Sequence, residues 1–162
     1  MLIAVQIGNL LLCAIVVSTT LAHALEYPGK MRLDKTSYLA TQTVYYPGFT
    51  MAGIAEPMAI LGFALQTFLV DDHKGVFWLS LAALCCLAIV HAIFWMVTQP
   101  VNNFWLKTEQ LEGLGKPFLG PSKAVEERNW RSLRDRWEAS HIVRAVFAML
   151  AFVCATIAAC AF

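Results

Sequence analysis

The sequence predicts an all-α integral membrane protein, a four-helix bundle with a cytoplasmic amphipathic helix leading into the fourth span. Three observations predict it. Hydrophobic residues make up 59% of the 162 and charged residues only 14%, whereas a soluble domain carries about 25% charge. The apolar residues gather in four stretches, at 2–25, 49–70, 76–99 and 141–162. Each exceeds the roughly 20 helical residues that cross about 30 Å of hydrocarbon at about 1.5 Å per residue. What remains is a loop at 26–48, a tight turn from Asp71 to Gly75 and a polar segment at 100–140, so residues 1–162 read as one membrane domain. With 12 Lys+Arg against 11 Asp+Glu, the chain has no electrostatic footprint for nucleic acid and no composition for disorder.

The first span contains Ala22-His23-Ala24, the small-x-small form that signal peptidase cuts. Yet no basic segment precedes the apolar run, and Gln6, Asn9, Cys13, Thr20, His23 and Tyr27 recur at spacings compatible with one helical face. A helix retained in a bundle uses such a face. The loop at 26–48 carries Lys30, Arg32 and Lys35, and the segment at 100–140 carries Lys107, Lys116, Lys123, Arg128, Arg131, Arg134 and Arg136, against Lys74 alone on the opposite side. The positive-inside rule then places both segments in the cytoplasm and both termini outside, as in a bacterial inner membrane.

The second span carries Glu56 followed by Pro57. Glu56 lies about 9 Å inside the cytoplasmic boundary and His91 of the third span about 10 Å, at about 1.5 Å per residue. Cys13, Cys85, Cys86, Cys154 and Cys160 all fall within spans without a C-x-x-C, which reads as small packing residues. Beyond Val101-Asn102-Asn103-Phe104-Trp105, the stretch from Gly113 to Pro121 breaks any helix. From Ser122 a helical stripe of Trp130, Leu133, Trp137, His141 and Arg144 runs into the fourth span. Glu127 with Arg131 and Arg134 with Glu138 stand four apart, the pattern of a solvated face. Trp130 and Trp137 suit either interfacial anchors or pocket walls.

Ionisable groups within spans cost roughly 2.5–3.5 kcal/mol each at the centre, so each asks for a reason. His23, Glu26, Glu56, His91, His141 and Arg144 come from all four spans and share one half of the membrane; His73 alone lies across it. Separately, each has a structural reading. Glu56 could satisfy backbone freed by Pro57, His91 could be a core histidine, His23 and Glu26 could pair with each other or with a lysine, and Arg144 could snorkel to headgroups. Two histidines could hold haem, or two with Glu56 a non-haem iron, but no spacing here is diagnostic, so metal and cofactor stay open.

The turn Pro100-x-Asn102-Asn103, the entry Trp137-x-x-x-His141-x-x-Arg144 and the four short spans resemble the anthrone oxygenase-like membrane proteins. The block from Ala22 to Lys30, with Tyr38-Leu39 and Tyr45-Tyr46-Pro47-Gly48-Phe49, is similar to a bacterial subgroup. The resemblance implies a four-helix membrane protein that oxidises an activated anthrone methylene to a quinone with dioxygen and no generally established cofactor. Residue by residue it reaches Asn102, Asn103, Trp137, His141 and Arg144. The expected activity is that of an oxygenase or oxidoreductase taking a hydrophobic aromatic or quinone-like molecule from the bilayer. His141 or His23 would act as base, with Glu56 in the catalytic set and Arg144 and Asn102 stabilising an oxyanion; Glu26, His91, Asn103 and Trp137 would complete the substrate pocket. Two alternatives stay open. One is a non-catalytic accessory protein that uses the polar cluster as glue and docks a cytoplasmic partner or a second copy of itself. The other is a proton or small-solute pathway through Glu56 and His91, although no internal repeat is present.

Overall fold

The computed structural model describes residues 2–70, 74–105 and 130–161. The first long helix, α1 (Leu2–Lys30), is followed by α2 (Lys35–Gln42), a 3-10 turn (Thr43–Tyr45) and α3 (Gly48–Ala52), then α4 (Ala55–Leu69) and α5 (Gly75–Ile93). A π-helical turn (Phe94–Thr98) and α6 (Gln99–Trp105) continue α5, and α7 (Trp130–Cys160) completes the described chain. Helices α1, α4, α5 and α7 form a ring in which each packs on its chain neighbours and α7 returns to α1. Four of the helical stretches are long and apolar enough to cross a membrane. His73, the Gly113–Pro121 break and Glu127 lie outside the described residues.

Burial runs opposite to that of a water-soluble bundle, because lipid is the outer solvent. On α1, Ile3, Ile7, Leu11 and Ile15 are exposed at intervals of four, while Gln6, Asn9, Cys13, Thr20 and His23 are buried. Tyr27 of the same face is half-buried. Helix α7 faces α1 and α5 with Ala145, Ala148, Ala151, Ala155 and Ala158, small side chains that let backbones approach. Of the cysteines, Cys13 is fully buried and Cys86 and Cys154 pack on the core, but Cys85 and Cys160 are exposed, so the packing reading holds for the first three.

In the half of the bundle away from α2 and α3, a polar ladder crosses three helices. Asn9 Nδ2 donates to Gln66 Oε1 (2.8 Å), Gln66 Nε2 to Ser80 Oγ (2.8 Å), and Ser80 Oγ to the Val76 carbonyl (2.7 Å). Gly62 makes room for it, since a Cβ there would stand 2.0 Å from Asn9 Oδ1. Gly62→Ala is therefore expected to displace Asn9 and destabilise the bundle by about 1–3 kcal/mol, the usual effect of overpacking. Unfolding midpoints in detergent check this, and an unchanged midpoint would count against the ladder.

The segment at 26–48 departs from the expected loop. Helix α1 continues to Lys30, carried by the Glu26–Lys30 ion pair one turn apart at 2.8 Å. Asp34 then caps α2 by accepting from the Ser37 backbone N–H (2.8 Å), a bond that holds its carboxyl below the ordinary range. These short helices fold across one end of the ring as a roof, with Tyr38, Tyr45, Val101 and Trp137 buried beneath them.

Candidate active site

Below that roof the ring encloses a cavity of about 230 Å³. The π turn shapes one wall. The Gln99 N–H reaches back five residues to the Phe94 carbonyl, and the wider turn gives the ring of Pro100 space that a regular helix lacks. It brings Phe94, Trp95 and Thr98 to the cavity, and Thr98 Oγ1 meets Ser140 Oγ of α7 at 2.9 Å.

Glu56, the buried carboxylate of α4, accepts from Arg144 Nη2 at 2.7 Å and from His91 Nδ1 at 2.8 Å. Trp95 Nε1 donates to His91 Nε2 at 3.0 Å. An indole N–H can only donate, so His91 Nε2 is the acceptor and its proton sits on Nδ1. In this arrangement His91 is neutral and Arg144 neutralises Glu56. Arg144 is 7% exposed and lies over the Phe94 ring at 5.0 Å, so it does not snorkel; a carboxylate within the bundle outcompetes distant headgroups.

Beside this network, His23 and His141 pack ring to ring, with centroids 4.1 Å apart and planes inclined at 40°. Trp137 lies 4.2 Å from His141 and 5.1 Å from His23, and Tyr45 and Phe49 meet His23 at 4.4 and 4.9 Å. Trp137 is thus a wall of the cavity, fixed by its Nε1 donating to Asn102 Oδ1 at 2.7 Å. Arg144 Nη1 stands 3.4 Å from His141 Nδ1; a guanidinium only donates, which leaves the His141 proton on Nε2. That Nε2, His23 Nδ1, Gln42 Nε2 and Arg144 Nε are all buried without a hydrogen-bond partner. Buried polar atoms are nearly always satisfied, so orphans on four residues around one cavity mark a place for a ligand.

Behind His23 lies a second charged chain. Glu26 Oε2 is 3.9 Å from His23 Nδ1, 2.8 Å from Lys30 Nζ and accepts from the Tyr45 hydroxyl at 2.5 Å. The lysine, rather than the histidine, is the close partner of Glu26. Lys30 is buried over the Tyr45 and Trp137 rings and stands 3.8 Å from Glu138 Oε1, which accepts from the Tyr38 hydroxyl at 2.8 Å. Burial pushes the Tyr38 and Tyr45 phenols up, helped by their carboxylate partners, and burial alone takes Tyr46 to about 12, so all three stay protonated donors. The expected solvated pair of Arg134 and Glu138 is corrected here. Glu138 is fully buried under α2, and Arg134 is buried and binds Asp135 at 2.8 Å, because the roof covers the face that an isolated helix would turn to water.

His23, Glu56, His91, Asn102, Trp137, His141 and Arg144 all line the cavity. Glu26 stands behind His23 rather than in the cavity wall, and Asn103 is turned to Gln99, accepting from its Nε2 at 3.2 Å. Gln42 and Tyr45 are cavity residues that sequence reasoning missed as site residues; the tyrosine-rich block was visible, but nothing in its spacing folds it over the bundle. The donor set fits neither haem nor a non-haem iron. The His23 and His141 rings turn faces toward each other, His91 is engaged by Glu56 and Trp95, Glu56 is held by Arg144, and among the described residues no three His, Cys, Asp or Glu side chains gather as metal ligands.

Residues 41–154 match the protein family described as anthrone oxygenase, a range that includes Gln42 and Arg144 and leaves His23 and Glu26 outside. No curated protein and no solved structure matches the chain.

Proposed function

The chain belongs to the anthrone oxygenase family, and from that membership and the cavity we propose a membrane oxygenase that converts the activated methylene of an anthrone-type aromatic to a quinone carbonyl with dioxygen. The observation that carries this reading is the pair of buried imidazoles packed ring to ring in an aromatic-walled cavity, with the His141 Nε2 and the Gln42 amide nitrogen left unpartnered. His23 is the base. Its Nδ1 stands 3.9 Å from the Glu26 carboxylate, whose charge at that range favours the imidazolium formed when Nε2 takes the methylene proton. The electron pair left on carbon delocalises through the rings onto the oxygen of the ketone carbonyl opposite. The His141 Nε2–H and the Gln42 amide are unpartnered donors suited to that oxyanion, and donors fixed in a dry site stabilise such charge far better than water does. The carbanion then reduces dioxygen, forming a C–O bond and, after protonation, a hydroperoxide. Removal of the remaining C–H proton forms the carbonyl as the O–O bond breaks, and the departing hydroxide leaves as water. The methylene is oxidised, the dioxygen is reduced to the new carbonyl oxygen and one water, and no further electron donor is needed.

In this reading the roof faces the cytoplasm of a bacterial inner membrane and both termini lie outside, the orientation that the basic residues flanking the spans favour. The enzyme in lipid nanodiscs, given an anthrone and oxygen, should form the quinone above the spontaneous rate, followed by visible absorbance. His23→Gln and His141→Gln are each expected to lower kcat by roughly 10²–10⁴-fold with the unfolding midpoint retained. Variants that turn over like the wild type overturn the assignment, and variants that lose folded yield instead favour a purely structural cluster.

A further inference from the structure

We infer that Glu138, at the far end of the roof chain, is a positioning residue for proton transfer to His23: as the imidazolium forms, Lys30 moves over to Glu138 and frees Glu26 to pair with that imidazolium. The shift rests on the assignment of His23 as base, and on no step that involves oxygen.

The roof chain holds two carboxylates and one ammonium. Lys30 Nζ is 2.8 Å from Glu26 Oε2 and 3.8 Å from Glu138 Oε1, so Glu26 has a close counter-charge and Glu138 does not. Glu138 is nonetheless fully buried; its Oε1 accepts from the Tyr38 hydroxyl, and its Oε2 has no hydrogen-bond partner. Lys30 Nζ forms no aligned hydrogen bond to either acid. It lies over the Tyr45 and Trp137 rings, 4.6 and 4.9 Å from their centres, and a ring face attracts an ammonium without fixing its direction. A short movement over those faces carries Lys30 from one carboxylate to the other.

The other charges nearby are already matched. Facing His23, Arg144 is paired with Glu56 at 2.7 Å, His141 is neutral, and the Tyr45 hydroxyl is bonded to Glu26. Facing Glu138, Arg134 is bound to Asp135 at 2.8 Å. With His23 neutral, the chain of Glu26, Lys30 and Glu138 therefore carries one negative charge in excess, and with His23 protonated it balances. A histidine that takes a proton at Nε2 keeps its resting proton on Nδ1, and here that donor has no acceptor within bonding reach, Glu26 Oε2 being 3.9 Å away. His23 Nδ1 thus lacks an acceptor and Glu138 Oε2 lacks a donor, with Lys30 and Glu26 between them. One movement of Lys30 satisfies both and leaves two ion pairs, Glu26 with His23 and Glu138 with Lys30. Because a buried charge without a partner is costly, Glu138 draws the proton onto His23 without touching the substrate.

The test replaces the anthrone with a stable planar phenol and excludes oxygen. Hydroxyphenanthrene stays a phenol in lipid at neutral pH, and its phenolate absorbs at longer wavelength. In nanodiscs, the wild-type protein should show the phenolate band, and His23→Gln should not. Glu138→Gln should lower the bound phenolate-to-phenol ratio about tenfold, the order expected of one unit charge within the protein, with total binding, read by tryptophan quenching, retained. Lys30→Gln should raise the ratio, since Glu26 is then free for the imidazolium. The double variant Glu138→Gln/Lys30→Gln should return close to the wild type, whereas a merely structural cluster loses binding in all three. An unchanged ratio in Glu138→Gln, a fall in Lys30→Gln or a double variant no better than Glu138→Gln overturns the shift. If Glu138→Gln fails to fold, Lys30→Gln and the double variant decide. A wild-type protein that binds the probe only as phenol, or not at all, overturns the shift and the base together. A protein that passes these tests but forms no quinone from an anthrone overturns only the oxygenase reading, and one that forms quinone while the ratio ignores position 138 overturns only the shift.

Discussion

Glu56→Leu is expected to destabilise the bundle by about 3–5 kcal/mol, because it leaves the Arg144 guanidinium buried without its carboxylate. Arg144 has no other carboxylate at ion-pair distance among the described residues; its remaining polar neighbour is His141, at 3.4 Å. His91 loses its acceptor at the same time, so α5 is released from α4 at the same spot. The double variant Glu56→Leu/Arg144→Leu removes both charges and should recover most of the loss, since apolar replacement of a buried pair is often neutral. Denaturant titration of the purified variants measures both effects. A single variant as stable as the wild type, or a double variant no better than the single, shows that the pair does not hold α4 to α7.

Trp137→Ala is the second large effect, about 3–5 kcal/mol from the cavity it leaves. The indole touches His23, His141 and the Lys30 ammonium and donates to Asn102, so its removal opens the seam between roof and ring. Trp137→Phe keeps most of the packing and orphans only Asn102 Oδ1, at about 1–3 kcal/mol. The ordering Ala, then Phe, then wild type in thermal midpoint is the expected result; a phenylalanine variant as damaged as the alanine variant would make the hydrogen bond, not the packing, the dominant contribution.

The four long helices and the gathering of His23, Glu56, His91, His141 and Arg144 were legible in the sequence, because length and hydropathy set the spans and depth is a linear function of position along a helix. The partners within the cluster were not. Depth says that Glu56 and His91 share a level, but only the rotation of each helix decides that Arg144 reaches Glu56 while Glu26 turns to Lys30. The roof was hidden for a different reason. Helix α2 is eight residues long and α3 five, too short to show a period, and Tyr38, Gln42 and Tyr45 become buried only through contacts with residues far along the chain. That long-range cover also turned Glu138 from an apparent surface residue into one with no exposure.

The Glu56–Arg144 bond joins residues 88 apart in the chain, and this has a consequence for biogenesis. At roughly 5–20 residues per second of synthesis, the carboxylate enters the bilayer roughly 4–18 s before its guanidinium leaves the ribosome. During that interval His91, only 35 residues behind, is the polar companion available to it. Nascent chains arrested before Arg144 should therefore hold α4 loosely, with carbonate extraction releasing more of them than of chains arrested after the last helix has emerged.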